Sequence, residues 1–212
     1  MKKVINIWHF ISVYLAGFSA LIALLAPVNP VQKCLLGAIT FMLLHFFEEF
    51  GYPGGFPLLG MKVMMNSDEM DSTKWNCNNL NSMFGNWSAL FLLYVIPLIL
   101  PNVRFLTLSA MMFLFAEVFM HLILFPIRLK TFYNSGQITA VFGMGVIGCY
   151  YFTTVFNSQI IIWYDYILAV IWFVAVFVFC FRSKLYWNLG KKEGYALTDL
   201  TAYGAGFKGK NN

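Results

Sequence analysis

Five ionisable residues stand where apolar ones are the norm: His45, Glu48 and Glu49, which close one apolar run as His-Phe-Phe-Glu-Glu, and Glu117 and His121, which interrupt another as Glu-Val-Phe-Met-His. On an α-helix, residues four apart share a face, about 40° from one another. Glu117 and His121 therefore project together, and Glu48 and Glu49 flank the face of His45 on either side. Neutral imidazole and carboxylate are the usual ligands of zinc, iron and manganese. One ion could take His45, His121 and Glu117, leaving Glu48 or Glu49 as general base, as in zinc hydrolases. Glu49 could instead join the ligands, giving the set His45, Glu49, Glu117 and His121, with any missing position filled by His9, water or substrate. Two irons could alternatively share Glu48, Glu49 and Glu117 with one His each. Three carboxylates are fewer than most di-iron bundles use, which favours a single ion.

The elements that must position these groups follow from composition. The 212 residues are 60% apolar and 19% aromatic, and only 11% are charged, which excludes an ordinary soluble domain and indicates an integral membrane protein. A span takes roughly 20 apolar residues, so the length allows about six. The expected fold is all-α, a polytopic bundle of six membrane helices near 5–26, 31–50, 83–100, 103–125, 136–156 and 160–181. The seven prolines sit at or near the expected ends, where helices stop. Residues 57–82 form the one long polar stretch, expected to cover the site. Residues 1–190 read as one membrane domain and 191–212 as a mobile, basic, cytoplasmic tail.

Charge supplies an orientation. With the N-terminus inside, every Lys and Arg except Lys33 and Arg104 falls on the cytoplasmic side. Both termini are then cytoplasmic, in a multi-pass protein of the cytoplasmic (inner) membrane. The net charge of +5 is explained by topology and lipid head groups, without nucleic acid as a partner. The first span, near 22 residues, is too long for a cleaved signal and is expected to be retained. The second and fourth spans both run inward, so their polar clusters lie at one depth in the inner leaflet. A charge in the hydrocarbon core costs roughly 2.5–3.5 kcal/mol, so such groups need partners.

Other polar groups are weaker candidates. Residues 133–139, Tyr-Asn-Ser-Gly-Gln-Ile-Thr, precede the fifth span, where free helix amides can bind an anion or head group. His9 beside Trp8 reads as an interfacial aromatic, Asp165 as an interfacial residue at the outer side, and the four cysteines as packing residues. Glu–His pairs can also simply fix helix packing. Two pairs at matched depth, with a Pro-Gly-Gly loop beside them, point instead to function.

His45-Phe46-Phe47-Glu48-Glu49 resembles the signature of the HXXEE domain family of multi-spanning membrane proteins. The resemblance continues through Pro53-Gly54-Gly55-Phe56, through Glu117 and His121, and through Tyr133 to Ala140, similar to that family's Y-N-P-G-x-x-T-A stretch with Ser135 in place of proline. It covers roughly residues 35–160. It implies that His45, Glu48, Glu49, Glu117, His121 and Asn134 matter, with Glu48, Glu49 and Asn134 as candidate catalytic groups, and implies no activity. The expectation is a metal-dependent enzyme, hydrolytic with zinc and oxidative with two irons, acting on a membrane lipid or membrane-soluble small molecule. A proton-coupled transporter and a non-enzymatic binding or immunity protein are the alternatives.

Overall fold

The computed structural model describes residues 1–206, and these are all-helical with no strand. Six helices are long and apolar enough to cross a membrane: α1 (Trp8–Leu25), α2 (Pro30–Phe50), α3 (Asn79–Ile99), α4 (Arg104–Leu129), α5 (Thr139–Ser158) and α6 (Trp163–Gly190). Each expected span has its counterpart, with ends displaced by a few residues, except that the sixth continues past its expected end through the segment Lys184–Gly190, which follows an extended Ser183. The helix α2 is the most enclosed of the six, and α6 the most exposed.

Helix starts follow from local chemistry. Asn29 caps α2, its side chain accepting from the Gln32 amide at 2.9 Å, while Pro30 occupies a first-turn position that lacks an amide partner in any case. Asn78 caps α3 through the amides of Leu80 and Asn81. Its own amide group donates to the carbonyls of Leu189, Gly190 and Lys192, tying the start of α3 to the end of α6. Asn78 is thus a clamp between these two helices.

Two prolines do not stop their helices. Pro97 and Pro126 lie within α3 and α4, each preceded by a π-helical turn, Phe91–Val95 and Met120–Leu124. A proline withholds one N–H and crowds the carbonyl four residues back. The wider turn, in which the Phe125 amide reaches the Met120 carbonyl, accompanies that disruption and lets α4 continue to Leu129.

The stretch after Gly190, expected to be a mobile tail, folds back onto the bundle as far as Gly206. The short helix Asp199–Tyr203 docks on Pro53–Gly55, with the Gly55 amide donating to Thr201 and the Ala205 amide to Pro53 at 3.1 and 2.8 Å. Gly54 and Gly55 have φ of 73° and 93°, and a Cβ on either would collide with the backbone at Leu200 or Tyr203. The Pro-Gly-Gly loop therefore accommodates this segment, and Thr201 and Ala202 are buried by it. Lys208 and Lys210 of the expected tail lie outside the described residues. Asn6 donates to the Gly194 carbonyl, so the two ends of the described chain meet at one end of the bundle.

Candidate metal centre

The polar residues of α2 and α4 converge. His45 Nε2 lies 3.3 Å from Glu49 Oε1 and 3.8 Å from Glu117 Oε2. His121 Nε2 lies 3.4 and 3.6 Å from the same two oxygens. His45, His121 and Glu49 are buried, whereas the Glu117 side chain keeps 22% of its exposure. His121 falls inside the π-helical turn of α4, and its ring meets that of His45 nearly at right angles, with centroids 4.8 Å apart. Phe56 and Phe125 close over His121 from the other sides.

The segment between α4 and α5 sets how both imidazoles point. His45 Nδ1 lies 3.1 Å from the Gly136 carbonyl and 2.9 Å from Thr139 Oγ1. A carbonyl only accepts, so Nδ1 carries the proton. His121 Nδ1 lies 2.7 Å from Asn134 Oδ1, while the Asn134 amide nitrogen donates to the His121 carbonyl and to Gln137. Oδ1 must then accept, and His121 too is protonated at Nδ1. In the neutral rings both Nε2 lone pairs face the two carboxylates, the arrangement that outer partners impose on metal-ligating histidines.

Gly136 is wedged between the rings. Its φ is 96°, and a Cβ there would lie 2.6 Å from His45 Cε1 and closer still to His121 Cε1. Only glycine provides both the backbone conformation and the space.

Glu48 does not join the centre. Its carboxylate accepts from Tyr133 Oη, from the Ile138 and Thr139 amides and from Thr139 Oγ1, at 2.9, 3.1, 2.8 and 2.6 Å. It caps the start of α5, where a negative charge faces the positive end of the helix dipole. The anion expected at these amides is thus a side chain of the protein itself. Burial, reinforced by the Glu48 carboxylate, raises the Tyr133 phenol above its usual range, so it remains a donor. Asn134 likewise stands behind His121 rather than at the point of convergence. His9 packs against Trp8 and Phe10, and Asp165 pairs with Arg104 at the opposite end of the bundle. Gly136 and Thr139 also belong to the site, both within the 133–139 stretch, though neither residue type signals a role there in the sequence.

A cavity of about 430 Å³ opens onto the centre, with His45, Glu49 and Glu117 in its wall. The 57–82 stretch supplies part of that wall through Pro57, Gly60, Met61, Met64 and Met65. Cys77 also lines it, and burial pushes its thiol up to about 11, leaving it protonated and unreactive at neutral pH.

His45, Glu117 and His121 could together hold a metal ion, since one donor atom of each lies within 4.8 Å of the others. The donor set suits the group. The four imidazole–carboxylate separations of 3.3–3.8 Å exceed the roughly 2.7–2.9 Å of a charge-assisted hydrogen bond. They approach the edge of about 3.3–3.4 Å that a tetrahedron has when its ligands stand roughly 2.0–2.1 Å from a zinc ion. Among the described residues His121 Nε2 has no hydrogen-bond partner, although it is fully buried.

The family model described as "Protein of unknown function with HXXEE motif" matches residues 36–152, which contain every residue of this centre. No curated protein and no solved structure matches the chain.

Proposed function

This chain belongs to the HXXEE family, whose description assigns no function, and from the site itself we propose a metal-dependent membrane hydrolase acting on a lipid or membrane-soluble small molecule. His45, His121 and Glu117 hold one divalent ion, with zinc favoured by the nitrogen and oxygen donors. Such an ion supplies Lewis acidity, polarising a carbonyl or phosphoryl oxygen and making water acidic enough to lose a proton near neutral pH. Glu49 is the general base. Of the two carboxylates on α2 it is the one that reaches the centre, and Glu48 has its oxygens occupied by four donors. Asn134, Gly136 and Thr139 hold both imidazoles so that Nε2 faces inward. Methionine and phenylalanine walls keep bulk water out and admit apolar chains.

The observation that carries this reading is the convergence of two inward-facing Nε2 atoms and two carboxylates at metal-ligand spacing. With Glu48 engaged elsewhere, too few carboxylates remain for two irons. The asymmetry of Lys and Arg supports an inner-membrane protein with both termini cytoplasmic and the centre in the inner leaflet.

Metal analysis of detergent-purified protein tests it. Wild type is expected to carry about one ion per chain, His45→Ala, His121→Ala and Glu117→Gln to carry little, and Glu49→Gln to retain it. Metal-free wild type from zinc- and iron-supplemented growth would overturn the reading. Retention by Glu117→Gln together with loss in Glu49→Gln would exchange the roles of the two carboxylates.

A further inference from the structure

The cavity wall combines chemically different groups. It carries the imidazole and carboxylates of the centre, and also Asn76, Arg182 and Tyr186. Much of the remaining wall is apolar, with Met61, Met64, Met120, Phe173 and Phe177 among its residues.

The two cations on this wall differ. Lys74 lies 3.5 Å from Glu69 and 3.7 Å from Asp71, so its charge is already met. Arg182 has no carboxylate within ion-pair distance among the described residues. Its guanidinium instead sits 5.8 Å from the centroid of the Phe177 ring, itself part of the wall. A guanidinium held against an aromatic face presents its fork of N–H donors for bidentate contact with a carboxylate or phosphate. The volume of about 430 Å³ lies toward the lower part of the roughly 300–1,000 Å³ range of pockets that enclose one small ligand, which is room for one chain rather than two.

The geometry points to a single-chain anionic amphiphile as the ligand: a carboxylate or phosphate head on Arg182, an apolar body among the methionines and phenylalanines, and the susceptible linkage at the centre. This deepens the hydrolase reading and rests on the same site, but it concerns recognition, which is measurable without turnover. The methionines fit such a ligand because their unbranched, polarisable side chains adapt to chains of different shape.

Calorimetric titration in an uncharged detergent, on chelator-treated protein whose metal content before and after chelation is recorded, separates the two readings. The probes are oleoyl lysophosphatidate, monooleoylglycerol with the same chain and no phosphate, and inorganic phosphate alone. Wild type is expected to bind the phosphate lipid about tenfold more tightly than the uncharged one. Arg182→Gln should abolish that preference. Lys184→Gln, which changes a neighbouring cation outside the cavity wall, should preserve it. Equal binding of the two lipids, a preference that survives Arg182→Gln, or inorganic phosphate competing as strongly as the lipid would each overturn the inference. Loss of the preference in a protein that purified with metal would sink recognition alone. A preference retained in a protein that never carried metal would sink the metal reading alone.

Discussion

The two ends of the bundle treat buried charge in opposite ways. At the end where α4 and α6 begin, Arg104 Nε lies 3.2 Å from Asp165 Oδ2, and Asp165 also accepts from the Ile162 amide at 3.0 Å. Arg104 further donates to the Ile160 carbonyl. Cation meets anion, a helix start is capped, and the groups need no further partner. At the other end, two carboxylates meet two imidazoles whose Nδ1 atoms are held by Gly136, Thr139 and Asn134, so that both Nε2 atoms are turned to the carboxylates at 3.3–3.8 Å. The first arrangement is complete as folded, and the second is one that could hold a metal ion. The same contrast recurs between neighbours on α2: Glu48 is saturated by α5, whereas Glu49 is turned to the centre.

Gly136→Ala is expected to disturb the centre most. The added methyl must enter both rings and adopt a left-handed backbone, so a loss of roughly 3 kcal/mol is expected. A large fall in the thermal transition and loss of metal would follow, and an unchanged transition would show that the rings are not held by this wedge. Glu48→Gln comes next. An amide nitrogen would then face two of the four donors, for a loss of about 1–3 kcal/mol with metal content unchanged. If metal disappears while stability is retained, Glu48 belongs to the centre after all.

Asn134→Ala removes the group that orients His121 and should weaken metal affinity by about 10- to 100-fold, read by competition with a chelator of known affinity. Arg104→Gln, at the satisfied end, should cost only about 1 kcal/mol, because this pair is partly exposed, and should leave metal binding untouched. The smallest effect is a pH dependence. Tyr133 has its ionisation raised in the folded protein by burial and by Glu48, so its contribution is constant below the ordinary tyrosine value of about 10 and is lost above it. Stability should fall in strongly alkaline buffer, and Tyr133→Phe should lessen that fall.

Much of the fold is legible in the chain because membrane helices announce themselves by length and hydropathy. Each of the six spans is readable that way, including α3 with its polar opening. What misled was punctuation. Pro97 and Pro126 suggest ends, yet π-helical turns carry both helices past them, a compensation that depends on tertiary packing. The glycine-rich end suggests mobility, yet Thr201 and Tyr203 find a seat on Pro53–Gly55 that only the folded bundle presents. The site divides in the same manner. His45, Glu49, Glu117 and His121 are visible because ionisable residues in apolar runs are costly and rare. Gly136 and Thr139 are not, since a small residue in a turn carries no sign of which ring it will touch.

Hydropathy and periodicity are local properties, and they suffice to establish a bundle of six membrane helices, two of which carry Glu–His pairs four residues apart. That Glu49 and not Glu48 reaches the centre follows from packing alone. The two stand on opposite flanks of one helix, and their fates depend on which neighbour each flank meets: the amides of α5 for Glu48, and the imidazole of His121 for Glu49.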